Sequence, residues 1–293
     1  PRSSRSGPGH YARAMDELEL VPISPAIGAE VRGVDLGVDR LDDLPLVAVR
    51  EAFLEHHVLV FRDQELSRDR HKELGRAFGT LHVHPSQRSP RFTGDPEIFV
   101  VEAGPESVLN NGGLWHADVT CDPVPPLGTM LLLTDAPPSG GDTLFANMHL
   151  AYESLSEPIR RMIEPLTAIH DQRQDLRRYG HEPRAGVDYP VTSHPVVVAH
   201  PETGRPLLFV NRAFTTAIEG LAEHESEAVL DLLFHHIAER PQHQCRVRWE
   251  PGTLVFWDNR CTQHFAVWDY HPNHRRGERV TIEADRAPAP ASS

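Results

Sequence analysis

Apolar and polar positions along this chain change period several times, and each change marks an element. Between Leu18 and Leu36 they alternate in the two-residue rhythm of a strand, broken by Pro and Gly. From Leu44 to His56 the rhythm becomes helical, with Leu46, Val47, Val49, Ala52 and Phe53 apolar, and Val58-Leu59-Val60-Phe61 then reads as a buried strand. Helical spacing returns at Ser67 to Phe78, Ser156 to Ile163 and Glu223 to Ala238, the last with a broad apolar face from Val229 to Ile237. Short strand-like runs recur at Met130 to Leu133, Pro195 to Ala199, Leu207 to Val210, Arg246 to Glu250, Leu254 to Trp257 and Val280 to Glu283, many bounded by Pro or Gly. The pattern predicts a mainly β core flanked by helices. The charged, Gly/Pro-rich stretch from Gln172 to Thr192 reads as a mobile loop. No internal repeat is present, and Gly140-Gly141-Asp142-Thr143 lacks the lysine and spacing of a phosphate-cradling loop.

Composition narrows what such a core can do. A chain of 293 residues buries about three quarters of its unfolded surface, enough for one large core. We read residues 17–286 as a single domain, with polar, Gly/Pro-rich tails at 1–16 and 287–293 that carry no chemistry. A formal charge of −13 argues against nucleic acid and anionic membrane as partners, since both require a basic face. Cys121, Cys245 and Cys261 are odd in number and widely spaced, fitting neither a disulfide framework nor a structural zinc knuckle. With no apolar run near the ~20 residues of a membrane span, the expected setting is the reducing cytoplasm.

The candidate chemistry lies in two distant segments, Trp115-His116-Ala117-Asp118-Val119-Thr120 and Trp257-Asp258-Asn259-Arg260-Cys261-Thr262-Gln263-His264. Nineteen histidines and 42 acidic residues give roughly 2.7 His-x-acid triplets by chance, so the three present are no evidence in themselves. His71 and Glu73 fall in a helical pattern, where positions two apart diverge. His200 opens His-Pro-Glu-Thr-Gly and reads as a solvated surface turn. His116 and Asp118 follow Gly112-Gly113 in a β-compatible run, where a period of two puts both side chains on one face. Two imidazoles and one carboxylate form the ligand set of an open iron site, and the third ligand would be His264. Alone, His264 would read as a hydrogen-bonded core histidine. Arg275 and Arg279 change the balance, because two guanidiniums sharing one strand face beside it suit a carboxylate or sulfonate.

These residues carry a resemblance. The chain resembles the taurine dioxygenase/TfdA family of iron(II) and 2-oxoglutarate-dependent dioxygenases from about Ile27 to Asp285. The matching segments are Ile27-Gly28-Ala29-Glu30, Gly33-Val34-Asp35-Leu36, the Trp115 segment, Gly140-Gly141-Asp142-Thr143, His194-Pro195-Val196-Val197, Val210-Asn211, Trp257-Asp258-Asn259-Arg260, Thr262-Gln263-His264 and Arg275 to Arg279. The resemblance implies a double-stranded β-helix, or distorted jelly roll. It places Fe(II) on His116, Asp118 and His264 and the distal carboxylate of 2-oxoglutarate on Thr143 and Arg275. Dioxygen would be consumed as 2-oxoglutarate is decarboxylated to succinate and carbon dioxide. Halogenating relatives replace the carboxylate ligand with a small residue, so Asp118 implies hydroxylation. Self-association as a dimer or tetramer is a further expectation of the resemblance.

The same comparison places a small anionic substrate on His84 and Arg279, with Gln87, Asn111, Val119 and Leu176 around it. Gln87 stands where taurine enzymes carry a tyrosine and Leu176 where they carry a phenylalanine, which reshapes the pocket. Asp175, beside Leu176, reads as a solvated loop carboxylate. The expected substrate is an alkylsulfonate or alkyl sulfate, with a carboxylate such as an aryloxyalkanoate or amino acid as the alternative. Two rivals follow from the same residues: a metal site on His82 and His84, which lacks a nearby glutamate, and a non-catalytic anion-binding relative.

Overall fold

A computed structural model describes residues 18–37, 40–84, 87 and 92–291. The expected tail at 1–16 lies outside the described residues. In chain order the strands are β1 (Glu19–Pro22), β2 (Ala29–Arg32), β3 (Val58–Phe61), β4 (Phe99–Ala103), β5 (Gly128–Asp135), β6 (Thr143–Asn147), β7 (Thr167–Asp171), β8 (Val191–Pro195), β9 (Val197–Ala199), β10 (Pro206–Leu208), β11 (Thr215–Ile218), β12 (Gln244–Val247), β13 (Thr253–Asp258), β14 (Thr262–Ala266), β15 (Arg275–Ile282) and β16 (Ala289–Pro290). The helices are α1 (Leu46–His56), α2 (Arg68–Arg76), α3 (Met148–Glu153), α4 (Glu157–Ile163), α5 (Gln172–Arg178) and α6 (Glu223–Ala238).

The frame is a seven-stranded sheet of order β1-β2-β3-β13-β5-β15-β4, facing a smaller sheet of order β12-β6-β14. The two-residue period of the central strands explains this layering. Val58 and Val60 of β3, Leu131 and Leu133 of β5, and Val255 and Trp257 of β13 point one way and pack on Phe145 and Val247 of the smaller sheet. Their alternates, Leu59, Phe61, Leu132, Leu254 and Phe256, point the other way, onto Phe53 of α1 and Leu74 of α2. Phe53 and Phe256 stack with ring centroids 4.0 Å apart. Truncating either to alanine would cost roughly 3–5 kcal/mol. A third cluster under α3 and α6 buries Met148, Leu207, Leu230 and Leu233. The result is the mainly β jelly roll with flanking helices that the sequence predicts.

Four local readings need correction. The run Pro195 to Ala199 is two strands, because β8 pairs with β7 and β9 with β10. Residues 172–178 are not loop but helix α5, started by the Asp171 carboxylate, which accepts from the Arg173 N–H. The supposed closing tail is partly sheet: Ala289–Pro290 lines the outer edge of β9, a position that tolerates proline because no partner needs its N–H. His200 is buried rather than solvated. Its Nδ1 accepts from the backbone N–H groups of Glu202 and Thr203, closing the turn, and its Nε2 lies 3.1 Å from Asp258 Oδ2. No described helix is long and apolar enough to cross a membrane.

Candidate active site

Strand β14 carries His264 between Gln263 and Phe265, and on its far edge the chain before residue 117 pairs with it. His116 N–H donates to His264 O at 3.1 Å and His264 N–H to His116 O at 2.8 Å, which brings the rings to a centroid distance of 4.0 Å. The His116 Nδ1 sits 2.7 Å from the Leu114 carbonyl. It must therefore carry the proton, leaving the Nε2 lone pair free. After Ala117 the backbone leaves the strand, against the expectation of a continuous strand through Asp118. Val119 holds φ 51°, a strained value for a β-branched residue. What pins it is Asn259, whose Oδ1 accepts from the Asp118 N–H at 2.6 Å and whose Nδ2 donates to Asp118 O and Pro126 O. The turn still aims Asp118 at both rings, and its Oδ1 lies 3.9 Å from His116 Nε2 and 4.0 Å from His264 Nε2.

The charges around this triangle are arranged asymmetrically. Burial would raise the Asp118 carboxyl, but Arg279, His264 and His116 outweigh it and hold the group well below the usual carboxylate range. Arg279 Nη1 donates to Asp118 Oδ1 at 2.9 Å, and Thr129 Oγ1 donates to Oδ2 at 3.1 Å. Burial, with His116 alongside, pushes His264 well below the ordinary imidazole value, so it is neutral. Outside the triangle, Thr120 Oγ1 accepts from Asn211 Nδ2 at 2.8 Å and meets His170 Nδ1 at 2.9 Å, fixing the turn from behind.

Strand β15 delivers the two arginines. Arg275 and Arg279 lie opposite Ala103 and Phe99 of β4, and both reach the cavity that the triangle borders. Arg275 is 5% exposed, donates through Nε to Gly141 O at 3.1 Å and lies over the Trp249 ring at 5.3 Å. Among the described residues it makes no ion pair. Burial lowers its pKa, the signature of a guanidinium short of anions. Trp249 Nε1 donates to Thr143 Oγ1 at 2.9 Å, leaving the Thr143 proton to point elsewhere. The cavity, about 360 Å³, is lined by the triangle, by Thr143, Arg275 and Arg279, and by His84, Asn111, Val119 and Leu176.

A family model described as "Taurine catabolism dioxygenase TauD, TfdA family" matches residues 19–281. The chain belongs to this family. It is 36% identical over 94% of its length to "Alpha-ketoglutarate-dependent dioxygenase cnsM" of Penicillium expansum, covering 79% of that protein. It is 34% identical over 93% of its length to "Alpha-ketoglutarate-dependent sulfonate dioxygenase" of Saccharomyces cerevisiae, covering 68% of that protein. Relatives named for a sulfate ester (Pseudomonas putida, 33% identical, 92% of this chain and 90% of that protein) and for (S)-phenoxypropionate (Sphingobium herbicidovorans, 34%, 86% and 90%) also match. A crystal structure titled as a putative alpha-ketoglutarate-dependent taurine dioxygenase from Burkholderia xenovorans superposes with a TM-score of 0.80 at 33% identity, over 94% of this chain and 95% of that one. The protein is an α-ketoglutarate-dependent dioxygenase, an oxidoreductase that uses 2-oxoglutarate and dioxygen.

Not every expected residue reaches the dioxygenase cavity. Gln87 does not line it: its amide is buried and donates to the Ile98 carbonyl at 2.7 Å, supporting the segment before β4 instead. Asp175 was expected in solvent, but helix α5 turns it inward to line the cavity, where burial raises its pKa. Tyr179, Phe99 and Trp249 are further lining residues without a local signal. The Tyr179 hydroxyl accepts from the Gly112 N–H at 2.8 Å and ties α5 to the Gly112 segment. His84 packs its ring on Phe99 at 4.7 Å, His82 Nε2 lies 3.7 Å from Asp122 Oδ2, and neither belongs to a group of three converging ligand atoms among the described residues.

Proposed function

We propose that this dioxygenase hydroxylates a small organic anion, with iron(II) held by His116, Asp118 and His264 and the distal carboxylate of 2-oxoglutarate held by Thr143 and Arg275. One observation carries the reading: a buried guanidinium that pairs with no carboxylate among the described residues opens on the same cavity as three converging donors. Two imidazoles and an ionised carboxylate are a donor set suited to iron(II). When bound, the metal would supply activation of dioxygen, coupled to decarboxylation of 2-oxoglutarate. The remaining work belongs to the chain. Leu114 fixes the His116 tautomer, and the Asn259 amide sets the angle of Asp118. Trp249 covers Arg275 and orients Thr143, so one carboxylate would receive a charge-assisted fork and a hydroxyl proton together.

In this reading the substrate's anionic group is taken by His84 and Arg279. Arg279 lies 4.8 Å above the Phe99 ring and shares only one N–H with Asp118. Val119, Leu131, Leu176 and Phe214 give the rest of the cavity apolar walls, and Asn111 stands at its exposed edge. The sulfonate and sulfate ester names among the relatives favour that substrate class. If the hydroxylated carbon bore the sulfur group or sulfate oxygen, the product would collapse to an aldehyde and release sulfite or sulfate. A carboxylate is the second reading, favoured by the aromatic and aliphatic walls and by the phenoxypropionate relative.

Anaerobic titration with iron(II) and 2-oxoglutarate tests the cofactor assignment. A weak visible charge-transfer band should form and weaken in both His264→Ala and Arg275→Ala; no band from folded, iron-loaded protein would refute it. A panel of sulfonates, alkyl sulfates, aryloxyalkanoates and amino acids then reports the substrate through succinate release, and silence from all of them would refute the anion class.

A further inference from the structure

Outside the lining of the cavity lies a second knot of titratable side chains: His57, His149, His200, Asp258 and Cys261, all buried, with the half-buried Arg260. Within it, a ring nitrogen of His57, one of His149 and the Cys261 sulfur lie within 4.8 Å of one another. We infer that these three residues form a metal site for a soft or borderline cation, of which zinc(II) and copper(I) are the natural examples. Thiolate and imidazole together select such ions over magnesium or calcium.

His57 is the residue that points to a ligand. It sits at the C-terminal end of α1 in the left-handed conformation, φ 63°, where glycine is the residue of lowest cost. A buried imidazole stands there instead, and its Nδ1 has no hydrogen-bond partner. Backbone strain and an unsatisfied buried nitrogen therefore fall on one residue, and a purely structural role explains neither. His149 is already oriented like a ligand: Nδ1 lies 2.8 Å from the Pro206 carbonyl, so it carries the proton and Nε2 offers its lone pair. Cys261 is fully buried and forms no disulfide. Burial holds His57 at about 3 and His149 at about 4, and it pushes the thiol well up, so all three are neutral in the metal-free fold. A bound cation would release the thiol proton to solvent and form the metal–sulfur bond in its place.

His200 and Asp258 also approach Cys261 but are committed elsewhere. The Asp258 carboxylate takes Arg260 Nε on one oxygen, and Arg260 Nη2 together with His200 Nε2 on the other. That leaves an N₂S set spanning three elements: the end of α1, the first turn of α3 and the turn between β13 and β14. Tetrahedral donors around zinc stand roughly 3.5 Å apart, so small ring and thiol rotations would close the set. The ion would cross-link the turn that leads directly into His264.

Cobalt(II) is the probe, because a thiolate ligand gives an intense near-ultraviolet charge-transfer band that a histidine and carboxylate site cannot give. Metal-free protein should bind one equivalent with weak visible bands only and another with the thiolate band. His116→Ala should keep that band. Cys261→Ser should lose it at every cobalt concentration, and His57→Gly should weaken affinity for that equivalent by more than the roughly 10–100-fold that loss of an outer partner costs a metal site, while the thiolate-free equivalent is retained in both. His57→Gly keeps the test decisive if Cys261→Ser misfolds, since glycine suits the backbone there. Absence of the band at saturating cobalt in the wild type, its persistence in Cys261→Ser, or wild-type affinity for that equivalent in His57→Gly overturns the site without touching the proposed iron assignment.

Discussion

Two buried carboxylates are held by neighbouring residues, Asp118 through Asn259 and Asp258 through Arg260, and the difference between them separates a carboxylate open to a ligand from one already satisfied. Asp118 and Asp258 each face histidine and arginine, and in both cases burial alone would raise the carboxyl while the neighbouring cation holds it low. Arg260 spends its fork on both oxygens of Asp258 and reaches on to Glu202, so that charge is consumed inside the protein. Arg279 gives Asp118 a single N–H and leaves the rest of its guanidinium facing the cavity. What marks the active site is therefore not the presence of buried ionisable groups but their incomplete satisfaction toward a space that a ligand can fill.

The sharpest way to break this contrast is to remove each carboxylate in turn. Asp118→Ala should lower succinate formation by more than the roughly 10–100-fold that loss of an outer partner costs a metal site. Asp258→Ala should instead leave activity per folded molecule intact while costing roughly 3–5 kcal/mol in urea unfolding, because Arg260 is left buried with its main partner gone. The contrast fails if the two phenotypes coincide. Arg275→Met should raise KM for 2-oxoglutarate roughly 100-fold, and Arg275→Lys should restore little of it, since an ammonium cannot reproduce the fork. The pH acts on the fold rather than on the contrast between the two carboxylates. Burial holds His57 and His170 at about 3 and His71 and His149 at about 4, against the ordinary 6.5. Each binds its proton only in the unfolded chain over that interval. Stability should therefore be complete above 6.5 and decline as the pH falls toward the folded values, read as a falling urea midpoint. Smallest is Thr129→Val, which removes one hydrogen bond to Asp118 Oδ2 and should weaken metal retention by about tenfold or less.

Much of this was legible in the sequence where periodicity was long or charge unusual. Helices α1 and α6 and strands β3, β5 and β13 announce themselves because their apolar positions repeat over several turns or fill both faces of a strand. Strand β14 does not, since Thr262-Gln263-His264 is polar and its burial is imposed by β6 rather than by its own composition. Helix α5 is charged throughout, and the Asp171 cap that starts it carries no apolar stripe for a reader to follow. The inward turn of Asp175 and the outward use of Gln87 depend on tertiary placement that no local window contains. His200 shows the converse: its sequence carries the turn chemistry, but the ring that closes the turn is also what the core buries. The left-handed backbone of Val119 had no signal, being forced by Asn259 from far along the chain.

If Arg275, which makes no ion pair among the described residues, holds the 2-oxoglutarate carboxylate as proposed, it would link the protein's lifetime to its chemical surroundings. A chain that folds around a buried cation is at its weakest when no anion is at hand, and mass action adds about 2.7 kcal/mol of stability at a ligand concentration of 100 times its dissociation constant. Starvation for such an anion would then raise the fraction of open molecules exposed to proteases, so abundance would follow supply without any dedicated regulator.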